Sequence, residues 1–115
     1  MIVIHLINRA EWETARGGEL LFTESISQYG FVHCCLPEQV PVVLDQWFNG
    51  QQEVIAVEVN TDLLNAPIVF ENLEGGEERF PHIYGSVNSD SVIRWYPLKK
   101  HIEEKKWLLR SVKFM

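Results

Sequence analysis

The chain has 115 residues, 46% of them hydrophobic and 23% charged, and a net charge of −6. That size holds one domain with a real core. Its only concentrated basic segment, KKHIEEKK at 99–106, carries two glutamates of its own, which excludes a large phosphate-binding footprint for nucleic acid.

No apolar run reaches the roughly 20 residues of a membrane span. The start, MIVIHLINRAEW, lacks the basic leader and small-residue cleavage site of a signal peptide and reads as a strand running into a helix. Residues 2–7 place Ile2, Ile4 and Leu6 on one face of that strand and Val3, His5 and Ile7 on the other. Asn8, with Glu11 three residues later, is a capping-box signature for a short helix over 9–16, stopped by Gly17-Gly18. Residues 19–30 hold no sustained period and predict a loop with a helical turn. Gly30 then opens a strand over 31–36.

Pro37 suits the first turn of a helix, where its missing N–H costs nothing. Val40, Val43, Leu44, Trp47 and Phe48 follow at i, i+3, i+4, i+7 and i+8, the strongest amphipathic pattern in the chain, with Trp47 expected to plug the core. Residues 53–59, EVIAVEV, predict a central strand with Ile55, Val57 and Val59 on one face and Val54 and Ala56 on the other. NTDLLNAP is a turn, IVFEN a strand and LEGGEE an exposed loop. RFPHIYG is a strand that Pro81 marks as an edge or a bulge. DSVIRWYPL is the last clear strand, and 101–115 reads either as a helix with a tail or as a strand. One α+β domain over 1–115, with a mainly antiparallel or mixed sheet and a few helices, accounts for these elements.

The two cysteines, Cys34 and Cys35, are neighbours whose side chains point to opposite faces of a strand, so a disulfide between them would be strained. Reduced thiols in a cytoplasmic protein are the expectation. Three of the four histidines lie in β-like segments: His5 between Val3 and Ile7, His33 between Phe31 and Cys35, and His82 between Phe80 and Tyr84 at i±2. Each imidazole is expected on a half-buried wall, neutral and able both to donate and to accept. On neighbouring strands the three would line one cleft; on separated strands each would be a hydrogen-bonded core residue. His101, in the charged tail, reads as solvated.

IVIHLI with Trp12 following, GFVHCCLPEQV, VIAVEVNTDLL and GGEERFPHIYG resemble, in this order, segments of the bacterial domain of unknown function DUF952. The resemblance runs from about residue 2 to residue 97, leaving 98–115 as a C-terminal extension, and Cys35 stands where the family usually has serine. That family is similar to the ADP-ribosyltransferase-like fold. The resemblance therefore implies a split, curved sheet around a nucleotide-sized cleft, NAD as ligand, and cleavage at the nicotinamide–ribose bond. On it His5 matches the first-strand histidine that holds ribose hydroxyls. His33 matches the second-strand wall, and His82 the late-strand group that orients the ribose or the nucleophile. Tyr84 would stack on a nicotinamide or adenine.

Three readings follow. An NAD-dependent transferase or glycohydrolase needs an anion or oriented dipoles beside the ribose. Glu58, in an otherwise apolar strand, stands out for that role over Glu71, Glu77 and Glu78, which read as a solvated loop region. A non-catalytic pocket for a nucleotide or another small anion would use the same histidines without a carboxylate. A histidine metal site is the third, but His33-Cys34-Cys35 lacks the usual ligand spacing, and no metal ligand set is assigned. A Cys35–His33 nucleophile pair lacks an orienting third group. Gly75-Gly76 is a turn, with no lysine or helix start following it in P-loop fashion.

Overall fold

A computed structural model describes residues 1–73, 76–101 and 106–108. The readings of Gly75 in its turn, of His101 as a solvated side chain and of the C-terminal tail lie outside the described residues. In chain order the elements are β1 Ile2–Ile7, α1 Arg9–Ala15, β2 Leu20–Leu21, α2 Thr23–Tyr29, β3 Val32–His33 and, after a 3₁₀ turn at Pro37–Gln39, α3 Val40–Trp47. They continue with β4 Glu53–Asn60, β5 Ile68–Glu71, β6 Phe80–Ile83, β7 Val87–Asn88, β8 Val92–His101 and β9 Lys106–Leu108. The segment 106–108, left open by its sequence, is thus a strand, paired antiparallel with β8. No described helix is long and apolar enough to cross a membrane.

The strands form a four-stranded sheet in the order β1-β4-β8-β9, a three-stranded sheet β3-β6-β5 and a β2-β7 pair, with antiparallel pairing throughout. β1 and β4 of the large sheet are buried on both faces, as their alternation requires. Ile55, Val57 and Val59 pack with Val3, Ile7, Trp12 of α1, and Val32 and Ile83 of the small sheet. Val54 and Ala56 pack on the other side with Ile4, Leu6, Leu98, and Val40 and Leu44 of α3. Burial of a side chain such as Leu44 or Ile55, both fully covered, contributes roughly 2 kcal/mol. Asn8 caps α1, its Oδ1 accepting the Glu11 N–H at 2.8 Å.

Four expectations change. Residues 19–30 contain β2 and all of α2. The helix buries no residue completely, so it has no apolar stripe for a period to reveal. The strand expected over 31–36 ends at His33, with Cys35 forming a separate bridge to Ile4. Trp47 does not plug the core. It is 58% exposed: Val40 and Leu44 fill the buried face of α3, and Val43 and Phe48 pack against the same core.

The fourth concerns Pro81, which lies in the middle strand of its sheet, not at an edge. Its carbonyl accepts from Cys34 N–H at 3.0 Å, so the N–H that proline lacks would face β3 as well. The ladder ends there. Cys35 then turns to β1 and exchanges both backbone hydrogen bonds with Ile4, each 2.8 Å. Proline's missing donor falls where the chain leaves one sheet for the other.

Gly85, just after β6, fits tightly: a Cβ there would lie 2.8 Å from the Cβ of Ala66. Gly85→Ala is therefore expected to destabilise the protein by about 1–3 kcal/mol, through overpacking. Urea unfolding should show a lower midpoint at unchanged slope.

Candidate functional site

β1 carries His5 on the face shared with Val3 and Ile7, opposite Val57 of β4. The residue is 7% exposed. Its Nδ1 lies 2.5 Å from the backbone oxygen of His33. A carbonyl only accepts, so Nδ1 carries the proton and Nε2 keeps its lone pair. Burial is the main cause that lowers its pKa to about 4; the bond to His33 opposes this, and the neighbouring His33 ring adds to it. Phe22, in the left-handed region at φ 62°, sets its ring 4.4 Å from the imidazole.

His33 and His82 are direct cross-strand partners between β3 and β6. Their rings meet nearly perpendicular with centroids 5.0 Å apart. Phe31 packs on both, at 4.7 and 4.6 Å, and Tyr29 stands 5.7 Å from His33. His82 is buried in the middle strand, whereas His33, expected to be half-buried, is exposed because β3 is a two-residue edge strand.

Behind His82 lies a carboxylate. β5 pairs Val69 with His82, which puts Glu71, two residues on, diagonal to the imidazole on the same face. Glu71 Oε1 is 2.9 Å from His82 Nδ1 and also accepts from the Tyr84 hydroxyl. These two donors, Tyr84 first, hold the Glu71 carboxyl below its usual range, and the carboxylate in turn raises the Tyr84 phenol. The ionised carboxylate can only accept, so Nδ1–H donates to it, leaving Nε2 as the nitrogen of His82 that can serve a ligand. Tyr84 is not among the cleft-lining residues; it holds Glu71 and packs on Phe31 at 5.3 Å.

Glu58, the carboxylate favoured by the sequence pattern, points away from His5, on the face of β4 shared with Ala56. Arg94 grips it through two bonds of 2.9 and 3.0 Å, and Tyr96 donates to it at 2.7 Å. The carboxylate joined to the histidines is Glu71.

His5, His33 and His82 line one cleft of about 480 Å³ where the two larger sheets meet. Asn8, Glu11 and Ser25 add polar groups to its lining, and Val43, Trp47, Phe48 and Phe80 add apolar ones. Cys34 and Cys35 also border it but are buried. Burial raises both thiols, Cys35 to about 12, which leaves neither as a thiolate nucleophile at neutral pH. Among the described residues no three His, Cys, Asp or Glu side chains converge as a metal-binding group. Glu11 and Trp47 are lining residues that sequence reasoning did not single out for function. The capping pattern explained the first and the helical period the second.

The fold and the cleft define a small antiparallel α+β domain with a histidine-lined site at a junction of sheets. The chain belongs to the DUF952 family, described as a protein of unknown function, whose profile matches residues 6–95. It is similar to protein CC0527 from Caulobacter crescentus: 25% identity to the crystal structure over 96% of each chain, with a TM-score of 0.78. The solution NMR structure of CC0527 gives 26% identity, coverage of 89% of this chain and 88% of that one, and a TM-score of 0.72. No curated protein matches the chain.

Proposed function

We propose that the cleft binds NAD or a related nicotinamide N-riboside and cleaves the bond between nicotinamide and ribose, as an ADP-ribosyltransferase-like or glycohydrolase-like enzyme. The observation that carries this reading is the convergence of His5, His33 and His82 on one cleft, with Glu71 hydrogen-bonded behind His82. The volume falls within the roughly 300–1,000 Å³ range of small-molecule sites.

The chemistry follows from the donors and acceptors. His5 Nε2 accepts a hydrogen bond from a ribose hydroxyl, while its Nδ1–H stays on the His33 carbonyl. The glycosidic C–N electrons leave with nicotinamide, whose ring becomes neutral, and C1′ gains oxocarbenium character. Water attacks C1′ and gives its proton to His82 Nε2, and Glu71 stabilises the imidazolium through the Nδ1–H bond. In a transfer reaction an acceptor hydroxyl replaces that water. Glu71 thus supplies the negative charge that an isolated histidine at this strand position would lack.

A ¹H–¹⁵N NMR titration with NAD and with ADP-ribose, joined to an assay for released nicotinamide, tests the reading. Shifts centred on His5, His33 and His82 together with nicotinamide release are expected. Shifts without release would make the cleft a non-catalytic nucleotide-binding module. Silence toward both ligands would overturn the proposal.

A further inference from the structure

We infer that the cleft selects a cationic, unphosphorylated N-riboside, and that Glu11 and Trp47 set this preference; the inference rests on the N-riboside reading above. The lining decides the charge. Among the described residues that border the cleft there is one carboxylate, Glu11, and no lysine or arginine. Glu11 bonds Asn8 through its backbone N–H, and its carboxylate has no ion-pair partner among the described residues. His5, one of the two buried histidines of the lining, is neutral at pH 7.

Phosphate recognition uses arginine forks, lysines or clustered N–H groups. A 5′-phosphate or pyrophosphate held in this cleft would bring its negative charge to a surface that answers with another. A nicotinamide N-riboside brings a positive aromatic ring instead. Trp47 offers an aromatic surface for it: the indole lines the cleft and is 58% exposed, and tryptophan is the strongest side-chain partner for a flat cation. Phe48 and Phe80 extend the apolar wall. The uncharged ribose falls to the histidines. Under this assignment nicotinamide riboside is a complete ligand, and the phosphates of NAD must lie outside the cleft.

Calorimetric titration of the full chain and of its Glu11→Gln and Trp47→Ala variants tests the preference. The probes are nicotinamide riboside, nicotinamide mononucleotide, inosine as a neutral nucleoside, and N-methylnicotinamide as the cationic ring without ribose. The riboside should bind roughly tenfold or more tighter than either the mononucleotide or inosine. Glu11→Gln should remove most of its advantage over the mononucleotide, and Trp47→Ala should weaken the riboside by roughly tenfold. Thermal melts of both variants should stay close to wild type, since each side chain is largely solvent-facing. If mononucleotide and inosine bind as tightly as the riboside, charge selection is overturned while the riboside class stands. If N-methylnicotinamide matches the riboside, ribose is not recognised and the N-riboside reading itself fails. Absence of binding by all four probes overturns both.

Discussion

His82→Asn should lower nicotinamide release by about 10²- to 10⁴-fold, the usual contribution of a positioned general base, while shifting the melting temperature by only a few degrees. Asparagine suits this test because its amide N–H can take the place of Nδ1 opposite Glu71, where the native separation is 2.9 Å. The carboxylate keeps a donor, and the Tyr84 hydroxyl stays on it, so the site retains its hydrogen bonding while losing Nε2. Truncation to alanine would instead combine a cavity with a deprived carboxylate and confuse stability with chemistry. Single-turnover nicotinamide release, measured beside a melt, separates the two. A variant retaining more than a tenth of wild-type turnover would rule out His82 as the base.

The second large effect is on acid stability. His5 titrates near 4 in the fold and near 6.5 in an unfolded chain. As pH falls through 6.5 the unfolded chain binds a proton at His5 that the folded chain refuses. The stability is therefore fully present above pH 6.5, is lost progressively down to about pH 4, and then levels off. That gap corresponds to about 3 kcal/mol. Urea unfolding of wild type and of His5→Asn, at pH 7 and at pH 4, isolates it, because the carboxylates shared by both proteins cancel in the difference. Asparagine can still donate to the His33 carbonyl but does not titrate. Parallel loss of stability in the two proteins would contradict the assignment.

Local pattern carried the large sheet well. The alternation in EVIAVEV named both faces of β4, IVIHLI did the same for β1, and Asn8 with Glu11 marked the start of α1. The three histidines were legible as candidates because each sits at a strand position flanked by bulky residues. Their convergence was not, since it depends on pairings between residues far apart in the chain, His33 with His82 and Ile4 with Cys35. Glu71 was ranked below Glu58 for the same reason: only the register of β5 against β6 makes a strand-end glutamate the neighbour of His82. A helical period shows which residues share a face but not how far the opposing surface extends, so Trp47 read as core. Pro81 misled because the rule against proline in a middle strand concerns donors, and this donor is lost where the ladder already stops.

Cys34 and Cys35, one in each core, have a consequence beyond packing. Burial denies the thiols the anionic form that peroxides, disulfide-exchange partners and alkylating agents attack. Each sulfur serves as a compact hydrophobic plug. In its native state the protein should resist mild oxidants and iodoacetamide as though it contained no cysteine, and its cleft should keep its shape on either side of a redox boundary.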